Sequence, residues 1–210
     1  MLRRAACEAA GVGIVRRLTG GRAVLHGGDL TYALAVRGGW LPSGLRASYA
    51  LIADALCEAL RGLGVSAERR PEAEPGAPVF DCFAQLAAEE ICAGGRKLVG
   101  SAQRRAGGAV LQHGSIRFEP DPEWASRAAG SVRRGATSLR ELGIAQSLEQ
   151  VREACAEALG TALGGALEVG RLTDAEWRWA LESARRREKE GGARSQIPPS
   201  GISRAPLGNR

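Results

Sequence analysis

At 210 residues and 44% hydrophobic, the chain suits one compact domain with a substantial core, with or without a tail, and argues against two full domains. Its formal charge of +6 invites a nucleic-acid reading, but seven basic and two acidic residues between Arg185 and Arg210 supply +5 of that. The body is therefore close to neutral, whereas a groove-reading module would carry its cations and aromatics on the folded body.

No run approaches the roughly 18 to 20 uninterrupted apolar residues of a membrane span, and the basic start is followed by Glu8 and glycines instead of a signal-peptide core. A cytoplasmic protein is expected, with neither nucleic acid nor membrane as a partner. The five cysteines are odd in number, scattered, and contain no C-x-x-C pair, and there are two histidines. Neither a disulfide framework nor a metal site is indicated.

In chain order, Met1 to Ala10 reads as the end of a helix, broken by Gly11 and Gly13. Ile14 to Leu18 reads as a strand. Arg22 to His26 and Leu30 to Arg37 are β-prone runs joined by Gly27-Gly28-Asp29, which is hairpin chemistry, and the second run alternates so as to bury one face. Leu45, Tyr49, Ile52, Leu56, Leu60 and Leu63 recur at threes and fours, the spacing of an amphipathic helix ended by Gly62 and Gly64. Glu68 to Pro78 reads as a loop. Ala84 to Cys92 is ambiguous between helix and extended arm.

Gly94-Gly95 makes a turn, and Lys97 to Ala102 and Ala109 to Ile116 are strands around Gly107-Gly108 that can pair antiparallel. Beyond Pro120 the composition turns helical. Ser138-x-x-Glu141, Ser147-x-x-Gln150 and Thr173-x-x-Glu176 are capping-box patterns. Leu148, Val151, Cys155, Ala158 and Leu159 line one helix, and a last helix runs from about Asp174 to about Glu190. Residues 191–210, rich in glycine, proline, serine and arginine, are expected to form a disordered basic tail behind one domain spanning 1–190.

The chemistry concentrates between Pro78 and Phe118. A thiol nucleophile has to lose its proton and have the charge of its intermediate neutralised, and a nearby cation serves both ends. Cys82 and Lys97 are the candidates. Cys92, near the turn, is a second thiol that packing explains better, and His26 and His113, at the ends of apolar strands, suit structural or basic roles equally. Further back, R-R-L-T-G-G-R-A-V-L-H at Arg16 to His26 is neither a Walker loop nor a dinucleotide fingerprint. Its paired glycines let backbone approach a ligand, with arginines beside it for a carboxylate or phosphate.

That loop, followed in order by Cys82-Phe83, K-L-V-G-S-A-Q and L-Q-H-G-S-I, resembles the lipoate-protein ligase and octanoyltransferase family, which is related to biotin protein ligases. It is most similar to the LipM-type octanoyltransferases, over about Leu2 to Arg187. The resemblance implies an α/β (α+β) fold with a mixed, mainly antiparallel sheet flanked by helices. Members begin earlier, with a strand and hairpin, so the first strands are expected to be missing.

The resemblance also implies transfer of an octanoyl group, without a cofactor, from octanoyl-acyl carrier protein to a lysine of a lipoyl domain, such as the glycine-cleavage H protein. It puts the acyl-thioester nucleophile on Cys82 and the essential lysine on Lys97. Substrate-binding positions fall on Arg16, Arg17, Thr19, Gly20, Gly21, His26, Gly100, Ser101, Ala102, Gln103, His113 and Gly114. Two other readings stand beside it: an ATP-dependent lipoate ligase working through an acyl adenylate, and a non-catalytic truncated homologue.

Overall fold

The computed structural model describes residues 4–72, 82–84, 87–121 and 135–191. The chain divides into two compact units, one of Leu18–Glu168 and the other holding Arg4–Arg17 with the stretch from Val169 onward. The second unit contains helices α1 (Arg4–Ala9) and α4 (Asp174–Gly191). At the start of α4, Thr173 Oγ1 accepts the Glu176 N–H at 3.2 Å while the Glu176 carboxylate accepts the Thr173 N–H at 2.7 Å. This is the reciprocal cap its sequence announced. The stretch expected to be a disordered tail lies, apart from Gly191, outside the described residues.

Among the described residues, the larger unit holds a five-stranded sheet and the α-helices α2 (Leu45–Gly62) and α3 (Leu148–Ala162). Its strands are β1 (Asp29–Arg37), β2 (Ala67–Arg70), β3 (Glu90–Ala93), β4 (Arg96–Ala106) and β5 (Ala109–Arg117), in the order β1-β5-β4-β3-β2 with every pairing antiparallel. The expected α/β class with a mainly antiparallel sheet is thus the observed one.

Two glycine pairs make the hairpins on either side of β4. Gly94 and Gly95 have φ of 56° and 70°, and Gly107 and Gly108 have 57° and 75°. Two consecutive left-handed residues match the right-handed twist of the strands they join.

One buried cluster unites the helices with the sheet. Leu56 and Leu60 of α2, Val151, Cys155 and Leu159 of α3, and Ile91, Val99, Val110 and Ile116 of the strands all belong to it. Even-numbered residues of β1 (Leu30, Tyr32, Leu34, Val36) pack against the same cluster while Thr31, Ala33, Ala35 and Arg37 are exposed. The alternation expected from sequence therefore holds. Ser147 and Gln150 complete a capping box at the start of α3.

Four stretches differ from the sequence reading. Ile14 to Leu18 carries no strand, and Arg22 to His26 forms no hairpin with β1, because Asp29 begins β1 and its carboxylate turns back onto His26 and the Gly27 N–H. Ala67–Arg70, read mostly as loop, is strand β2, since Arg69 neutralises its charge on Asp54 and Glu89 while its backbone pairs with β3. Ser138-x-x-Glu141 caps a single turn, closed by the Leu142 N–H on the Ser138 carbonyl at 3.1 Å and ended at Gly143, where φ is 78°.

Candidate active site

The start of β4 is irregular in a way that aims Lys97. Ile91 pairs with Val99 but Cys92 pairs with Lys97, so β4 carries one residue more than β3 at that point, a bulge. Bulges bend a strand and re-aim its side chains. Both backbone polar groups of Lys97 bond to the incoming 135–137 segment, its N–H to the Gly135 carbonyl at 2.8 Å and its carbonyl to the Thr137 N–H at 2.9 Å.

The Lys97 side chain is 1% exposed, and its ammonium is held in polar contacts, as burial of a charge requires. Nζ donates to Glu90 Oε1 at 2.5 Å and to the Cys82 carbonyl at 2.6 Å, and it stands 3.7 Å from Cys82 Sγ. Cys82 opens a short 3-10 turn, Cys82–Ala84, and its N–H donates to the Ala23 carbonyl at 2.9 Å. That bond ties the cysteine turn to the glycine-rich segment.

Phe83, 1% exposed, carries Lys97 Nζ at 5.1 Å from its ring centroid and the Arg117 guanidinium at 5.4 Å. The aromatic face balances part of the positive charge gathered here. Room for the lysine comes from Gly100, where a Cβ would lie 3.2 Å from Lys97 Cε and 3.3 Å from Phe83 Cζ.

Glu90 is the acidic member of this cluster and is absent from the sequence-based candidates. It is 4% exposed, and burial pushes its carboxyl up from the ordinary range, against the opposing pull of Lys97, the Ala87 N–H and the charge of Arg22. Its only signal in the sequence was an acidic residue seven positions ahead of Lys97 across a glycine hairpin, a register that the bulge then adjusts. Arg22 escaped notice as an individual residue, because its motif offers several arginines.

Among the cysteines, burial pushes the thiols of Cys57, Cys92 and Cys155 up to about 11. Cys92 is fully buried, so packing accounts for it, whereas Cys82 is half-buried.

The other predicted site residues fall into three groups. Gly100 lies against Lys97, and on the neighbouring β5 His113 Nε2 is hydrogen-bonded to Thr19 Oγ1 at 2.6 Å. Thr19 is 8% exposed and Gly20 and Gly21 beside it are exposed; Gly21 has φ of 102°. His26, also exposed, donates from Nδ1 to Asp29 Oδ2 at 2.7 Å. An open cavity of about 470 Å³ is lined by Leu18, His26, Thr31, Leu111, His113 and Gly114, among others.

Ser101 and Gln103 do not join that group. They sit on the side of the sheet facing α2, where Ser101 Oγ meets Tyr32 Oη at 2.7 Å, Gln112 Nε2 donates to Tyr32 Oη at 3.2 Å, and Gln103 Nε2 donates to Gln112 Oε1 at 2.8 Å. Ser48 of α2 in turn donates to Gln103 Oε1 at 3.1 Å. Their polar atoms serve a buried network; Ala102, buried between them in sequence, has the opposite direction on the strand. Gly114 admits Tyr32, whose Cε1 would be 2.4 Å from a Cβ there. Arg16 and Arg17 belong to the unit of α1 and α4.

Sheet and helices form an α/β domain in which the Cys82 thiol, the Lys97 ammonium and the Glu90 carboxylate come together. Over residues 1–160 the chain matches the family described as lipoyl protein ligase A/B catalytic domain. It is 42% identical over 192 residues to octanoyltransferase LipM of Kyrpidia tusciae, covering 81% of this chain and 70% of that protein.

In fold it is similar to the crystal structure of lipoate-protein ligase A bound with ATP, at a TM-score of 0.71 and 24% identity, over 86% of this chain and 71% of that one. It is similar also to the bipartite lipoate protein ligase of Thermoplasma acidophilum, solved as part of a lipoylation system with its E2 lipoyl domain. There the TM-score is 0.63 at 21% identity, over 86% of this chain and 69% of the other. The chain belongs to the lipoyl protein ligase A/B catalytic-domain family.

Proposed function

We propose that this protein is a cytoplasmic octanoyltransferase that moves an octanoyl group from octanoyl-acyl carrier protein to a lysine of a lipoyl domain, such as that of the glycine-cleavage H protein, through a thioester on Cys82. The observation that carries the reading is the 3.7 Å approach of Lys97 Nζ to Cys82 Sγ at a half-buried turn. The octanoyltransferase relative at 42% identity supports it. No helix among the described residues is long and apolar enough to cross a membrane.

The chemistry follows from the contacts. An ammonium beside a thiol stabilises the thiolate, which is the attacking species. The thiolate adds to the octanoyl carbonyl, the carrier thiol departs, and Lys97 then faces the charge that develops on the carbonyl oxygen. The acceptor amine attacks the resulting thioester. One thioester replaces another in the first step, so no nucleotide has to drive it, and the amide formed in the second is downhill. In this reading Thr19, Gly20, Gly21, His26, His113 and the arginines Arg16 and Arg17 serve substrate binding, and the catalytic domain extends to about residue 190.

The test is incubation of the protein with octanoyl-acyl carrier protein, followed by intact mass measurement. Wild type gains one octanoyl group, which is discharged on adding H protein, and Cys82→Ala gains none. Transfer that runs equally fast in Cys82→Ala overturns the proposal.

A further inference from the structure

The acidic partner of Lys97 is fixed more firmly than a salt bridge alone requires. Glu90 Oε2 accepts the Ala87 N–H at 2.6 Å while Oε1 takes Lys97 Nζ at 2.5 Å. The residue before it, Glu89, is a non-glycine residue in the left-handed region, with φ of 64°. Such a conformation persists only where its surroundings over-determine it. Here the Glu89 carboxylate, 6% exposed, is gripped by Arg69 and by Arg46 at 3.1 Å, and its N–H bonds the Arg70 carbonyl at 2.6 Å. The clamp sets the angle at which Glu90 enters β3, and with it the position of Lys97.

Resting on the octanoyl-transfer reading, we propose that Glu90 is a positioning residue that acts through Lys97 as the store for the Cys82 thiol proton. The groups facing it are Lys97 from β4, Arg22 from the glycine-rich segment and Cys92 on its own strand, with Cys82 of the 3-10 turn on the far side of the Lys97 ammonium. In the resting site the Glu90 carboxylate engages Lys97 Nζ. When the thiol reacts, Nζ first passes one of its protons to Glu90 Oε1 and, with the lone pair this frees, takes the proton from Sγ. The ion pair moves from Glu90–Lys97 to Lys97–Cys82, and the net charge of the buried cluster does not change.

A buried site resists the creation of an unpaired charge far more than the relocation of a paired one. Burial already biases Glu90 toward its protonated form.

The steps balance. In the first half-reaction the Cys82 S–C bond forms, the donor C–S bond breaks, and the departing donor thiolate receives the stored proton back over Lys97. In the second, the neutral acceptor amine forms the N–C bond and the Cys82 S–C bond breaks. The proton released by the nitrogen travels through the same pair to the Cys82 thiolate.

The experiment compares wild type, Glu90→Gln and Glu90→Asp by two readouts: iodoacetamide alkylation of Cys82 as a function of pH, followed by peptide mass, and steady-state octanoyl transfer. Glu90→Gln still accepts a hydrogen bond from Lys97 but cannot hold the proton. With Lys97 no longer neutralised, the alkylation midpoint falls by about one pH unit. Turnover nevertheless falls about 100-fold, with the KM for the donor little changed. Glu90→Asp lies between the two proteins in both readouts.

These opposite movements of reactivity and turnover are not what a loosened fold produces. A midpoint that stays or rises in Glu90→Gln, or turnover that is retained, overturns the proposal; should that variant not fold, a midpoint in Glu90→Asp at or above wild type does so. Alkylation uses no acyl group. A wild type that takes no octanoyl group therefore sinks the transferase reading, whereas acylation with an unmoved midpoint sinks the proton store alone.

Discussion

Gly100 and Lys97 are three residues apart on β4, yet a Cβ at Gly100 would sit 3.2 Å from Lys97 Cε and 3.5 Å from Nζ. The glycine is there because the lysine folds back across it. Its φ is not in the left-handed region, so alanine meets no backbone penalty, only the lysine and the Phe83 ring. Gly100→Ala therefore shifts Nζ while leaving the fold nearly intact. On the proposed acyl-transfer reading, single-turnover acylation of Cys82 slows about tenfold as Lys97 is displaced, and denaturant melts move by about 1 kcal/mol.

The thiols divide by burial. Cys57, Cys92 and Cys155 are pushed up to about 11 by desolvation and carry little thiolate at neutral pH. Cys82 is half-buried beside an ammonium. At pH 7.5, iodoacetamide labels Cys82 at least about tenfold faster than these three thiols in the native protein, and all four label alike in denaturant. Peptide mapping after timed quenching reads the ratio.

These two cases also measure how far the sequence reached. The hairpins at Gly94-Gly95 and Gly107-Gly108 were legible because a two-residue turn with two left-handed positions is a local demand that glycine pairs meet. The approach of Lys97 to Cys82 was legible because Cys82-Phe83 and K-L-V-G-S-A-Q were read together as parts of one motif. Glu90 was not, because its role depends on a bulge that shifts β3 against β4, and no residue type announces a bulge of that kind.

The strand expected at Arg22 to His26 failed for a related reason. β propensity states what a segment tolerates, whereas here the Asp29 carboxylate turns back onto His26 and the Gly27 N–H and takes the segment away from the register of a hairpin. Conversely, A-E-R-R at β2 looks like loop until Arg69 finds Asp54 and Glu89. Ser101 and Gln103 lie in a recognised motif, but the alternation of β4 turns them toward α2, where they make the network that holds the sheet to the helix.

Acid stability should report on the turn at the head of β1. Asp29 works against burial, yet hydrogen bonds from His26, Ser115 and the Gly27 N–H bring its carboxyl down from 3.8 to about 2. A group depressed in the folded state contributes stability above its ordinary pKa and loses it as pH falls through the folded value. Asp29→Asn therefore melts roughly 2–4 °C below wild type at pH 7. The gap closes between about pH 4 and pH 2. Differential scanning fluorimetry across that range checks the direction, and a gap that widens on acidification contradicts it.

Gly114, on β5, offers the complementary test to Gly100. A Cβ there would lie 2.4 Å from Tyr32 Cε1 and 2.8 Å from both the Gly100 carbonyl oxygen and Ser101 Oγ. A side chain can swing away, but the Gly100 carbonyl is backbone of β4 in mid-sheet and cannot, since Ser101 and Gly114 are paired across the two strands. Gly114→Ala forces β4 and β5 apart where the Tyr32–Ser101–Gln112 network joins the sheet to its core. It should cost about 3 kcal/mol, near the upper end for overpacking.

Shortening the tyrosine does not relieve this: Gly114→Ala combined with Tyr32→Leu recovers only part of the loss, because the carbonyl contact remains. Urea melts of the single and double variants measure it. Full recovery would mean that the tyrosine ring, and not the strand spacing, demands glycine at that position.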